Sequence, residues 1–134
     1  MAGLRNKKAK GTAAERELVH KFWDHDWACV RIAGSGSSRY PAPDLLAGNG
    51  HRKIAIECKT VTKDKVYITK DQINGLIIFS ETFGTERYVG VKFDKEWYFL
   101  SLDDIPQTTS SFVISLELAK MKGLIFDELL GVFN

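Results

Sequence analysis

Glu57 and Lys59 stand two residues apart in the run from Arg52 to Thr60, which alternates as a strand does, so their side chains leave the same face. A carboxylate and an ammonium held together in this way can bind a hard cation through oxygen and stabilise charge on a phosphate. Asp44 opens the preceding short strand, and Gly48-Asn49-Gly50 between the two reads as a hairpin turn, which brings Asp44 alongside the Glu57 strand. Magnesium takes one or two carboxylates plus waters and phosphate oxygens. Asp44 and Glu57 offer those ligands, and the Cys58 backbone carbonyl offers a third. Lys59 then stands where an attacking water meets phosphorus, and the chemistry predicted is phosphodiester hydrolysis. The plainer account is a solvent-facing ion pair beside an aspartate in a proline turn, and Glu-x-Lys alone does not separate the two.

A helix over residues 13–25, started by Thr12, must present the next acid. Glu15 precedes Leu18, Val19 and Phe22 by three, four and seven residues, so it shares their apolar face, whereas Glu17 falls on the wet one. A carboxylate aimed inward needs a partner. The metal site would provide one. Equally, Thr12-x-x-Glu15 fits a capping box in which Glu15 returns to the Thr12 backbone N–H.

Further elements follow in order. Residues 27–32 read as a strand, residues 33–43 as a Gly, Ser and Pro-rich flexible loop, and residues 44–47 and 52–60 as the hairpin just described. A short strand at 66–68 leads into a helix over 70–83 stopped by Gly84, then a hairpin at 87–93 and 97–102. Residues 112–116 read as an edge strand and 126–130 as a closing helix. Alternation puts Ile54, Ile56 and Cys58 on the core side of their strand and Ala55, Glu57 and Lys59 on the other. The predicted class is α/β, one domain built on a mixed sheet flanked by helices.

The 134 residues suit one domain, with 44% hydrophobic and 27% charged side chains. No apolar run is long enough to span a membrane, and the first residues lack the apolar core of a signal peptide, so a cytoplasmic protein without membrane partners is expected. Cys29 and Cys58 have neither CxxC spacing nor histidine partners, and are expected as small core residues. With no GxGxxG after the first strand and no phosphate-binding loop, no nucleotide cofactor is expected. The net charge of +2 divides unevenly, +6 over residues 1–80 and −4 over the rest. Residues 1–10, with Arg5, Lys7, Lys8 and Lys10, read as a flexible basic arm ahead of a catalytic domain at 11–134, suited to a polyanion such as DNA. Solubility alone would also explain the lysines.

Four stretches in register, Ala14–Leu18 (AEREL), Val30–Ser35 (VRIAGS), Pro43–Gly50 (PDLLAGNG) and Ile56–Lys59 (IECK), resemble the archaeal Holliday junction resolvases of the PD-(D/E)xK nuclease superfamily. The similarity runs over roughly residues 10–93. It implies a restriction-endonuclease-like fold and a homodimeric, magnesium-dependent endonuclease that nicks four-way DNA junctions symmetrically in recombination and repair. Carried over by position, it makes Glu15, Asp44, Glu57 and Lys59 the catalytic set, with Asp44 and Glu57 as metal ligands that Glu15 and the Cys58 carbonyl are expected to join. Arg16 and Arg31 match basic positions of the family, and Ser35 and Ser37 lie in a loop that resembles its DNA-contacting segment; Lys7, Lys8 and Lys10 of the basic arm and Arg39 of the loop are expected as further DNA contacts. Two other functions fit the same residues: a nuclease of flaps or mismatches, and a basic DNA-binding module without catalysis.

The helix at 70–83 carries more apolar residues than one face needs. Ile73 and Ile77 form one stripe, and Leu76, Phe79 and Phe83 a second, which is expected to form a two-fold dimer interface. The other explanation is burial beneath the C-terminal segment of the same chain.

Overall fold

A computed structural model describes residues 2–132, and side chains from residue 8 onward. The chain runs α1 (Ala2–Asp24), β1 (Ala28–Arg31), β2 (Leu45–Gly48), β3 (Lys53–Val61), β4 (Lys65–Thr69), α2 (Lys70–Phe83), β5 (Glu86–Phe93), β6 (Glu96–Leu100), β7 (Ser111–Ser115), α3 (Leu116–Lys122) and α4 (Phe126–Leu130). Single 3₁₀ turns occur at Ser35–Ser37 and Leu102–Asp104.

Five strands form one mixed sheet in the order β1-β2-β3-β5-β6, antiparallel throughout except for β3 against β5. β4 and β7 make a separate antiparallel ribbon, so the expected edge strand near residue 112 joins β4 and not the main sheet. The β2–β3 turn is held by the Asn49 side chain, whose Oδ1 accepts the N–H groups of His51 (2.9 Å) and Arg52 (2.7 Å).

Two apolar layers cover the sheet. On one face α1 and α4 bring Ala14, Leu18, Phe22, Phe126 and Leu129 onto Ile54, Ile56 and Phe99. On the other, Ile73 and Leu76 of α2 pack with Ala55, Val89, Val91 and Leu100. β3 is therefore buried on both sides, and the expectation of one core face and one open face is corrected: Ala55 is as buried as Ile54 and Ile56. A central strand covered by helices on both faces loses the simple alternation of a half-exposed one.

Three further expectations change. Helix α1 begins at Ala2, so the basic segment continues the helix and Thr12 is an interior residue; no capping box joins it to Glu15. Helix α3 was not expected, although Ser115 caps it, its Oγ accepting the Leu118 N–H at 3.0 Å. Leu76 lies in its own chain's core at 1% exposure, because the inward stripe of α2 is Ile73, Leu76 and Ser80. It cannot serve a dimer interface.

Arg52 ties three distant parts of the molecule. Its Nε and Nη2 donate to the two carboxylate oxygens of Glu86 (2.8 and 2.9 Å), and its Nη1 donates to the Leu129 carbonyl (2.7 Å). Its guanidinium also lies over the Trp27 ring at 5.4 Å.

Candidate active site

β2 pairs with β3 only as far as Ile56, while β3 continues to Val61 paired with β5 alone. The site lies where β2 stops. The register Leu45↔Ile56, extended by one step, sets Asp44 opposite Glu57, and the Asp44 N–H donates to the Ile56 carbonyl at 3.0 Å. Past that point the free edge of β3 leaves room for a side chain from α1.

Asp44 is fixed by two donors. The Cys58 N–H donates to Oδ2 at 2.8 Å, and the Ser35 hydroxyl donates to Oδ1. Ser35 was expected to touch DNA; here it ties the 33–43 loop to the carboxylate. Nothing in its spacing from Asp44 announces that bond, which depends on how the loop folds back. Glu57 shares a side-chain hydrogen bond with Asp44. Burial above all, then that hydrogen bond and the neighbouring Asp44 charge, push the Glu57 carboxyl up to about 9. At neutral pH the Glu57 carboxyl therefore keeps its proton beside the Asp44 charge.

Glu15 reaches the same region from α1. Its carboxyl is raised, first by burial and second by the Asp44 charge, against the lowering effect of Arg31. Arg31 Nε lies 3.5 Å from Glu15 Oε2, and its Nη2 donates to Thr12 Oγ1 at 3.4 Å. Arg31, expected as a phosphate contact, thus faces the carboxylate cluster. Lys59 and Glu15 border one small cavity together with Cys58 and Thr60. A cleft of about 300 Å³ on the other side is walled by Glu57, Gln72, Arg39, Tyr40 and the Ser35–Ser38 turn.

Among the described residues no three acidic, His or Cys side chains close to metal-holding spacing. Asp44 and Glu57 nevertheless suit a hard cation. Both are oxygen donors, both are on rigid backbone, and their like charges are tolerated only with a proton or a cation between them. Cation entry must then expel a proton.

A prediction follows for pH. Glu57 titrates higher in the folded than in the unfolded chain, so its proton-linked stabilisation is complete below about 4.5 and lost as pH rises through about 9. In chelator, the thermal midpoint should fall across that window, and Glu57→Gln should flatten the fall. An unchanged slope in Glu57→Gln would assign the effect elsewhere.

Other expected DNA contacts divide. Lys8, Lys10, Arg16, Ser37 and Arg39 are exposed, and Lys8, Thr12 and Arg16 share one outer face of α1. The Lys7 side chain lies outside the described residues. Glu17, on the wet face as expected, pairs with Lys92 at 2.9 Å. Gln72 completes a capping box with Thr69. Trp97 and Phe99 are core residues. A cavity of about 640 Å³ between α1 and the ends of β3 and β5 includes none of the three clustered carboxylates.

A mixed sheet flanked by helices, with an Asp/Glu pair and a lysine at the end of a hairpin, defines a nuclease of the α/β type. The chain belongs to the archaeal Holliday junction resolvase (Hjc) family, whose profile matches residues 6–134. The crossover junction endodeoxyribonuclease Hjc of Archaeoglobus fulgidus is 37% identical over 132 residues, 92% of this chain and 97% of that protein. Its namesake from Methanocaldococcus jannaschii is 36% identical over 128 residues, 96% and 92% respectively. The solved structure of Archaeoglobus fulgidus Hjc, a Holliday junction resolvase, superposes with a TM-score of 0.84 at 33% identity, covering 93% of this chain and 98% of that one. Membership of this endonuclease family implies a DNA crossover as substrate and the use of a divalent metal ion. No helix among the described residues is long and apolar enough to cross a membrane.

Proposed function

We propose that this chain resolves four-way DNA junctions in the cytoplasm by magnesium-dependent hydrolysis, as a homodimer that nicks two opposed strands in a symmetric pair. The observation that carries the reading is the Asp44–Glu57 pair, with Lys59 on the same strand, in a chain of the Holliday junction resolvase family. Asp44 and Glu57 would hold the ion, with the Cys58 carbonyl and the Glu15 carboxylate as further oxygen donors. Bound magnesium supplies Lewis-acid polarisation of the phosphate and acidifies the attacking water. Lys59 orients that water and offsets charge growing on the phosphate. Ser35 and the Cys58 N–H keep Asp44 from rotating away. Lys7, Lys8, Lys10, Arg16 and Arg39 supply phosphate contacts that recognise shape and not sequence.

Labelled four-way junction should be cut in magnesium and left whole in chelator, with linear duplex and flap DNA cut more slowly. Intact junction in both conditions would falsify the reading.

With Leu76 removed from consideration, the outer face of α2 still offers Phe79 and Phe83, stacked at 5.3 Å, and the exposed Ile78. Phe83 is 51% exposed. A second copy covering this face would place two sites on a two-fold substrate. Phe83→Asp should sediment as a monomer; a dimer would move the interface elsewhere.

A further inference from the structure

We propose that Trp97 is a positioning residue for the Glu15 carboxylate, acting through a water in the small cavity that the two side chains border. The inference rests on the role given to Glu15 above. Strand pairing sets Trp97 of β6 opposite Lys92 of β5, and Lys92 opposite Thr60 of β3, so the indole lies on the face that α1 covers. Trp97 is 3% exposed and stacks on Phe99, with ring centroids 6.0 Å apart. Its Nε1 is nevertheless buried and has no hydrogen-bond acceptor among the described residues. Buried N–H groups are almost always paired, with protein or with ordered water.

A cavity of about 160 Å³ lies beside it, walled by Gly11, Glu15, Cys58, Lys59, Thr60 and Trp97. That volume has room for a few waters at about 30 Å³ each, and a buried water needs two to four polar partners. The Glu15 carboxylate and the Thr60 hydroxyl, on residues that wall the cavity, supply them beside the indole N–H. A water that accepts from the indole can donate to Glu15. Arg31 Nε, 3.5 Å from Glu15 Oε2, is likewise buried without a hydrogen-bond partner. Glu15 is therefore served by two buried donors from separate strands, β1 and β6, neither of which has another acceptor. Groups that hold a metal ligand in this way set its orientation and its basicity.

Trp97→Phe keeps the ring and its stack and removes only the N–H. On the intact protein, three quantities decide the matter: single-turnover junction cleavage against magnesium concentration, junction affinity in chelator, and the indole ¹⁵N–¹H spectrum. Trp97→Phe should lower the cleavage rate or raise the magnesium half-saturation by about 10- to 100-fold, with junction affinity and thermal midpoint unchanged. In a Glu15→Gln background it should add nothing, because both changes act through one group. The Trp97 indole signal should shift in Glu15→Gln. Wild-type cleavage and magnesium dependence in Trp97→Phe, or an indole signal indifferent to Glu15→Gln, would overturn the proposal. Should Trp97→Phe fail to fold, Trp23→Phe and Trp27→Phe assign the remaining indole signal, whose response to Glu15→Gln then decides. Should the unmodified protein leave junctions whole, the cleavage reading fails, and that same response still decides this one.

Discussion

Glu57→Gln should abolish junction cleavage, by about 10³-fold or more, while junction affinity in chelator stays within a factor of two. The size of the loss follows from removing one of the two carboxylates proposed to hold an ion that is worth several kcal/mol to the transition state. Retained binding follows from the state of the native group. Held near 9 by burial and by Asp44, Glu57 is already neutral at pH 7 without metal. Glutamine reproduces that neutral form in nearly the same volume and can still donate to Asp44. Single-turnover cleavage and a gel-shift titration make the comparison. Parallel loss of binding and cleavage would show that Glu57 serves the architecture of the site, and undiminished cleavage would remove it from the site altogether.

Phe22→Ala should cost about 3–5 kcal/mol, a large share of the roughly 5–15 kcal/mol typical of a whole domain. Phe22 is fully buried, meets Phe126 edge-on with ring centroids 5.1 Å apart, and tilts against Trp27 at 5.7 Å. It joins α1, α4 and the entry to β1. Urea unfolding measures the cost as a lower midpoint at unchanged slope. Because α1 carries Glu15, the variant should also cleave more slowly under conditions where it is still folded. A loss below about 1 kcal/mol would mean that the site collapses around the deletion, contrary to the close packing of protein interiors.

Elements that announce themselves locally were legible in the sequence. Helix α2 shows both its start and its stop, with Thr69 and Gln72 as a capping box and Gly84 at φ 90° beyond its end, and its limits agree with expectation residue for residue. The Asp44–Glu57 pairing was equally accessible, since a short turn fixes register and register fixes which side chains face each other. Helix α1 misled because Thr12 is a good cap by type and follows Gly11, yet the run Lys7–Lys10 before them is made of helix formers and the helix continues through the glycine. Leu76 misled because counting apolar stripes does not tell which stripe turns inward. That depends on the sheet beneath, where Ala55 and Val89 leave space for it. The Ser35–Asp44 bond and the unpaired indole of Trp97 depend on tertiary placement and have no local signature.

The Arg52 clamp has a consequence for the order of assembly. Its last acceptor, the Leu129 carbonyl, lies 77 residues further along the chain, and Phe126 and Leu129 close the same layer that seats Leu18 and Phe22. A polypeptide emerging from the ribosome can form the β2–β3 hairpin early, but α1 has no finished bed until residues 126–130 have followed. Nascent chains that stop short of α4 should therefore be without the seated α1 that brings Glu15 to the cluster, and DNA near the site of translation meets no assembled cluster before α4 has emerged.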